Sequence, residues 1–262
     1  KSAYENLTQK IKDNSNIKMV LLQHEFGLFR NSEEELIEFL TNINKPVIIG
    51  FHTVLPNAND AFKAHLNSII KKVHSIIVMT NAAAKILNEE YGVSKDRIAV
   101  IPHGTHLVPH TDKDVLKEKY GFSGRKILST FGLLSSGKSI ETTLDAMPKD
   151  VLFLIMGKTQ PSVVKEEGEK YRDMLQDKID DLKINDNVKF INNYVALNQL
   201  LEYLQLTDIY LFTSKDPNQA VSGTFSYALS SGCPIVSTPI PHAKEVLNCG
   251  AGVIFDFGNS NQ

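Results

Sequence analysis

Between residues 131 and 139 the chain reads Phe131-Gly132-Leu133-Leu134-Ser135-Ser136-Gly137-Lys138-Ser139. An apolar run of strand type (126–131) precedes this stretch, and a helical pattern (140–147) follows it. A strand, a glycine-bracketed loop with a lysine, and a helix N-terminus together form a candidate anion site. Free backbone N–H groups and the positive end of the helix dipole favour phosphate there. The literal string Gly-x-x-x-x-Gly-Lys-Ser also matches the P-loop of nucleoside triphosphatases. That chemistry needs an aspartate closing a later apolar strand, to hold magnesium. The runs 151–156 and 188–191 instead lead into Gly157 and Asn192, and Asp208 precedes its strand. A P-loop also opens its own sheet, whereas here a complete α/β half lies ahead of it. The triphosphatase reading is therefore the weaker one.

Three histidines form the second set of candidates. His24, His52 and His103 each follow an apolar run of strand length, at 17–23, 46–51 and 98–101. A single histidine in that position is ordinarily a satisfied, half-buried side chain. Three of them in one half suggest that some face a ligand, because parallel α/β sheets bind ligands past the carboxyl ends of their strands. They lack the paired histidine or carboxylate spacing of a zinc site, so no metal site is expected.

The elements that would position these residues alternate. Helical patterns at 4–13, 33–42 (capped by Ser32), 60–73 and 82–91 (capped by Asn81) separate four strands, the third at 75–79. A polar stretch with a short helix (112–120) follows. The rhythm then restarts with strands at 126–131, 151–156, 188–191, 208–213, 234–237 and 252–255. Helices are expected between them at 140–147, 164–183, 197–205, 224–231 and 242–248. Such alternation means βαβ units and mostly parallel sheets. The expected division is an N-terminal Rossmann-like domain over 1–108, a linker over 109–124 and a C-terminal Rossmann-like domain over 125–262. The chain opens in a helix and stops soon after a strand, which reads as a fragment lacking both natural ends.

Composition removes several classes of function. Of the 262 residues 42% are hydrophobic and 22% charged, ordinary values for a globular protein. A net charge of −2 gives no argument for a nucleic-acid partner, and the absence of Trp removes one base-stacking platform. Two cysteines, Cys233 and Cys249, make neither a disulfide framework nor a metal motif, and read as thiols in a reducing compartment. No apolar run approaches the ~20 residues that span a bilayer, and the polar helical pattern at the start is not expected to be a signal peptide. A cytoplasmic location is expected, with the inner membrane face as an option for a lipid-linked acceptor.

An ordered set of segments adds to this. They are Gln23-His24-Glu25-Phe26-Gly27, Phe51-His52-Thr53-Val54-Leu55-Pro56, Ile101-Pro102-His103-Gly104, the Lys138 loop, and Met156-Gly157-Lys158-Thr159-Gln160-Pro161. Two more close the set: Ser222-Gly223-Thr224-Phe225-Ser226-Tyr227-Ala228, and Ser231-Gly232-Cys233-Pro234-Ile235-Val236-Ser237-Thr238-Pro239. In this order they resemble the family 4 retaining glycosyltransferases (glycosyl transferases group 1), in a mannosyltransferase-like branch, over residues 17–256. The resemblance implies the GT-B fold, with two Rossmann-like domains whose parallel sheets face across a cleft. It implies a metal-independent hexosyltransferase without a cofactor. Such an enzyme moves sugar from a nucleoside-diphosphate donor, with GDP-mannose a candidate, to a saccharide or lipid-linked hydroxyl acceptor. The setting would be polysaccharide or glycoconjugate synthesis.

The same resemblance implies roles. Lys138 contacts the donor diphosphate, and His52 lies near the anomeric centre; these two are the catalytic candidates. Gly132, Ser135, Ser136, Ser222, Gly223 and Thr224 belong to the donor site, with the helix N-terminus at 222–224 facing phosphate. His24, Glu25, Gly27 and His103 face the acceptor side. Three positions depart from the family pattern: Leu133 stands where an arginine is usual, and Gln219 and Tyr227 stand where two glutamates would meet the sugar and the ribose. Gln219 keeps hydrogen-bonding capacity without charge, and Tyr227 cannot grip a diol as a carboxylate does. Glu245 is a late candidate for a polar donor contact. A non-catalytic nucleotide-sugar-binding protein is the alternative that these replacements leave open.

Overall fold

In the computed structural model, which describes residues 3–29 and 31–262, the chain forms two compact α/β units. One comprises Lys1–His103 with Asn218–Val221, the other Gly104–Pro217 with Ser222–Gln262.

The first unit runs α1 (Ala3–Asp13), β1 (Val20–His24), α2 (Glu33–Asn42), β2 (Val47–Phe51), α3 (Asp60–Ile70), β3 (Ser75–Val78), α4 (Asn81–Tyr91) and β4 (Ile98–Val100). Its four strands are parallel in the order β1-β2-β3-β4. Right-handed crossovers that always step the same way place their helices on one face of the sheet. Burial follows this rule: Val47, Ile49 and Phe51 of β2 pack with Leu36, Phe39, Leu66, Ile69 and Leu87 of the helices. Two expected helix caps differ in detail. Ser32 occupies the N-cap of α2 without a side-chain bond, and α4 is capped by Thr80, whose hydroxyl accepts from the Ala83 amide at 3.2 Å. Threonine at 80 takes the cap because Asn81 already lies in the first turn.

The second unit runs α5 (Lys113–Lys119), β5 (Lys126–Phe131), α6 (Ile140–Ala146), β6 (Val151–Met156), α7 (Pro161–Glu167), α8 (Lys170–Leu182), β7 (Val188–Ile191), α9 (Leu197–Leu206), β8 (Ile209–Phe212), α10 (Gly223–Ser230), β9 (Ile235–Ser237), α11 (Pro241–Val246) and β10 (Gly252–Ile254). Its parallel strands lie in the order β10-β9-β8-β5-β6-β7. The chain winds outward from β5 through β6 to β7, then crosses back to β8 and winds the other way. Strand β6 is buried throughout, which is why it reads as an unbroken apolar run. The helix expected over 164–183 is two helices, because Gly168 adopts φ 69° and ends the first.

The expected linker is corrected as well. Residues 113–119 fold as α5 onto α9 within the second unit, with Leu116 and Phe122 in a core that includes Ile127 and Tyr203. Asp208 fastens the helix: its carboxylate accepts from Lys113 Nζ (3.2 Å), Lys117 Nζ (2.7 Å) and the Ile127 amide (2.7 Å). A polar composition concealed this docking because its key lysine, Lys117, is buried with its charge paired. Among the described residues, no helix is long and apolar enough to cross a membrane.

Candidate functional site

The second sheet changes winding direction between β5 and β8, the place where sheets of this kind hold ligands. Lys138 follows β5 and its ammonium lies 6.0 Å from the ring centre of Phe212, the last residue of β8. Two glycines make this placement possible. At Gly132 (φ 122°) a Cβ would sit 3.0 Å from Lys138 Nζ and 3.2 Å from Thr224 Cγ2, so only a bare Cα lets the lysine fold back toward α10. At Gly157 (φ 137°) a Cβ would meet the Gly132 carbonyl oxygen at 2.0 Å, so the loops after β5 and β6 touch backbone to backbone. The Gly132 amide is already used, donating to Met156 O at 3.0 Å. Gly132 therefore contributes room and not a phosphate-binding N–H.

The main chain of Lys138 is pinned from two sides. Its amide donates to Ser135 O (2.9 Å) and its carbonyl accepts from Thr213 Oγ1 (2.5 Å). Burial of the side chain holds its pKa below the usual lysine value. Among the described residues no carboxylate pairs with it. A desolvated cation without a partner anion makes this a candidate anion site.

Helix α10 supplies the second half of the candidate anion site. Ser222 caps it, accepting from the Phe225 amide at 3.3 Å, and its own amide donates to Nδ1 of buried His242 at 3.2 Å. The amides of Gly223 and Thr224 have no acceptor among the described residues. They stand at the positive end of an eight-residue helix. The expectation for the other helix is corrected: α6 offers no such end. Residues Ser136–Lys138 form one 3-10 turn, Ser139 takes φ 49°, and the Ile140 amide that opens α6 donates to the Tyr171 hydroxyl at 2.9 Å. That hydroxyl in turn donates to Glu141 at 2.7 Å, and Lys215 binds the other Glu141 oxygen at 2.6 Å. The loop is thus no P-loop, in which the lysine and serine would begin the helix.

The remaining donor-side candidates occupy different settings. Ser135 is half-buried and Ser136 exposed. Leu133 is 52% exposed, whereas Leu134 is buried and bridges to Thr159. Tyr227, one turn along α10 from Thr224, packs edge-on against Phe131 (6.2 Å) and His106 (5.7 Å). Sequence reasoning missed His106 and His242. The first lies in a polar stretch without periodicity; the second follows a strand end, the signal that singled out the other histidines. Gln219 is half-buried and is grouped with the first unit. Glu245 is half-buried on α11.

In the first unit, β1 and β2 bring several polar groups together at their carboxyl ends. His52 Nε2 lies 2.8 Å from Gln23 Oε1, and the His52 amide donates to His24 O at 3.0 Å. Glu25 accepts from Thr53 Oγ1 (2.8 Å) and from the Phe26 amide (3.0 Å). The His103 ring stands edge-on to His52 with centres 6.4 Å apart. Desolvation lowers the His52 pKa; Glu25 works against that and His103 adds to it. His24 departs from its expected place on the acceptor side. It is 1% exposed, boxed by Phe26, Phe29 and Phe51 at 4.9–5.2 Å, and burial pushes its pKa down to about 4. As the last residue of β1 it alternates to the helix-covered face, opposite to Gln23. Gly27 is exposed in the 3-10 turn Phe26–Leu28.

Two parallel α/β units, one with a buried lysine and a helix N-terminus at its switch point, define a protein of the doubly wound α/β class. The match to known families narrows this. The family described as "Glycosyl transferases group 1" matches residues 112–262, and "Glycosyltransferase Family 4" matches residues 35–108. The chain belongs to the group 1 glycosyl transferases, and its two parallel sheets are those of the GT-B fold. Mannosylfructose-phosphate synthase of Agrobacterium fabrum is 24% identical over 207 residues, which cover 71% of this chain and 44% of that protein. The chain therefore spans less than half of the curated relative that it matches. Among solved structures, Anabaena HepE in complex with UDP superposes with a TM-score of 0.76 at 18% identity, over 98% of this chain and 69% of that one. Sucrose-phosphate synthase from Thermosynechococcus elongatus gives 0.70 at 14%, over 98% and 67%. At these identities the structures show a shared fold.

Proposed function

We propose that the protein transfers a sugar from a nucleoside-diphosphate sugar to a hydroxyl acceptor. The observation that carries this reading is the desolvated, carboxylate-free ammonium of Lys138 beside the unsatisfied amides of Gly223 and Thr224. A diphosphate seated there satisfies the amides and neutralises the lysine. As the glycosidic bond breaks, negative charge gathers on the leaving diphosphate, and the same groups stabilise it without reorganising. Three donors already in place can do what a metal ion does in other transferases, which supports a metal-independent reaction. The solved neighbour with bound UDP supports a nucleotide donor.

The finer parts of the reading rest on the family resemblance: retention of configuration, a hexosyl donor with GDP-mannose the candidate, and a saccharide or lipid-linked acceptor in polysaccharide or glycoconjugate synthesis. His52, Glu25 and His103 would orient the reacting sugar and acceptor hydroxyls.

Calorimetric titration with UDP, GDP and ADP, each alone and as its sugar, tests the reading, with Lys138→Ala as control. One nucleotide should bind to the wild type and lose at least tenfold in affinity in the variant, unchanged by EDTA. At a hundredfold excess over its Kd that ligand should stabilise the fold by ~2.7 kcal/mol. Equal binding by wild type and Lys138→Ala would remove the anion site. Gln219 and Tyr227, in place of two acids, favour a second reading as a non-catalytic nucleotide-sugar binder. Binding with neither transfer nor hydrolysis by the full-length protein would establish it.

A further inference from the structure

The side chain of Gln23 has no role in the donor site, yet its placement is specific. Gln23 and Gly50 are register partners on β1 and β2, one residue before the carboxyl end of each strand. A Cβ on Gly50 would lie 2.9 Å from Gln23 Oε1 and 3.5 Å from its Cδ and Nε2. The amide of Gln23 thus lies flat across a strand position that carries no side chain. From there its oxygen reaches His52 Nε2 at 2.8 Å. His52 stands two residues beyond Gly50 on the same face of the sheet, and its own amide is held by His24 O at 3.0 Å. Backbone and ring of His52 are therefore both held from β1.

An amide oxygen only accepts hydrogen bonds, so the nitrogen facing it carries the proton. The other ring nitrogen, Nδ1, has no hydrogen-bond partner among the described residues. The charged and titratable groups around the ring are Glu25, His103 and His24. Both Glu25 oxygens are engaged by Thr53 and Phe26 and leave Nδ1 free. We propose that Gln23 is a positioning residue that locks His52 in its Nε2–H tautomer, with Gly50 making the room. Nδ1 is then presented as a fixed hydrogen-bond acceptor for a substrate hydroxyl. This deepens the glycosyl-transfer reading and rests on it for the identity of that hydroxyl, but the tautomer itself does not depend on it.

The test is multiple-bond 15N–1H NMR on the whole chain labelled at histidine, with His52→Gln assigning the signals. Wild type should show His52 protonated on Nε2 with an unprotonated Nδ1. Gln23→Leu removes the acceptor and should give a mixture of tautomers. Gly50→Ala displaces the amide without altering either side chain and should do the same. Gln23→Glu keeps an acceptor in place; it should retain the Nε2–H tautomer and raise the titration midpoint of His52 by about one pH unit. In a transfer assay, Gln23→Leu should lower kcat at least tenfold and leave donor Kd unchanged. An Nδ1–H tautomer in the wild type overturns the proposal. So does a Gln23→Leu or Gly50→Ala chain, folded by its amide spectrum, with tautomer and midpoint unaltered. If no nucleotide binds, the glycosyl-transfer reading fails while the tautomer result still decides this one.

Discussion

At the scale of single residues, Lys138 and His24 show what burial does to a titratable group in the absence of a counter-charge. Lys138 has its pKa lowered by desolvation, so its charged form is less favourable in the folded chain than in the unfolded one. The folded state then binds fewer protons between the two pKa values, and stability rises with pH through that window toward the ordinary lysine value. Lys138→Met should therefore hold or raise Tm near neutral pH while abolishing nucleotide binding. A lower Tm in calorimetry would show that the ammonium contributes to the fold. His24 is also depressed, to about 4, and its unfolded counterpart titrates near 6.5. Its folded form is the poorer proton binder, so stability falls as pH drops from about 6.5 toward about 4. His24→Phe should flatten that acid limb of the Tm–pH curve; an unchanged limb would place the titrating group elsewhere.

At the scale of elements, the proposed anion site depends on contacts between loops and helix ends that hydrophobic periodicity does not report. Gly157→Ala must push against the Gly132 carbonyl at 2.0 Å, whereas a Cβ at Gly121, also with positive φ, meets nothing within 4 Å. Both substitutions carry the left-handed penalty of ~1–2 kcal/mol. Only Gly157→Ala should lose more than that in urea denaturation, together with nucleotide affinity; equal losses would mean that the loops separate freely. The helix α5 gives a parallel case. Burial opposes the charge of Asp208, but Lys117, the Ile127 amide and Lys113 outweigh it and hold its pKa low. Asp208→Ala leaves buried Lys117 without its carboxylate and should cost about 3 kcal/mol. The loss should appear in chemical denaturation, and a change below ~1 kcal/mol would mean that α5 docks by its apolar face alone.

These two cases mark where the sequence was readable. The ten strands among the described residues and the parallel class follow from apolar runs of strand length, because period and length are local. The docking of α5 depends on Asp208, about ninety residues away, and the direction of Lys138 depends on bare Cα atoms at 132 and 157. No local pattern encodes either one. The lysine itself was legible as a candidate anion ligand, and its burial without a carboxylate is what the proposal rests on, but the P-loop string suggested a helix start that Tyr171 in fact caps. The strand-end rule placed His24, His52 and His103 past strand ends; the structure brings the rings of His52 and His103 together, while the alternation of β1 turns that of His24 into the core.

At the scale of the molecule, the two units keep separate cores. The first is a cluster built around Ile49, Phe51 and Leu66; the second unit has its own clusters around Phe153, Phe225 and Leu154. Every group of the proposed anion site, from Gly132 and Lys138 to Gly223 and Thr224, lies in the second unit. A ligand stabilises the state that it binds, and local opening is suppressed where the bound contacts must break. Binding of a nucleoside diphosphate without its sugar should thus slow amide hydrogen exchange in the second unit, at the carboxyl end of β5, in β8 and in the first turns of α10. Exchange in β2 and β3 of the first unit should stay unchanged. The measurement is exchange read by mass spectrometry at saturating nucleotide, with Lys138→Ala as the blank. Protection spread equally over both units would mean that the diphosphate is held by groups outside this site, and protection confined to β1–β4 would move the anion site to the first unit.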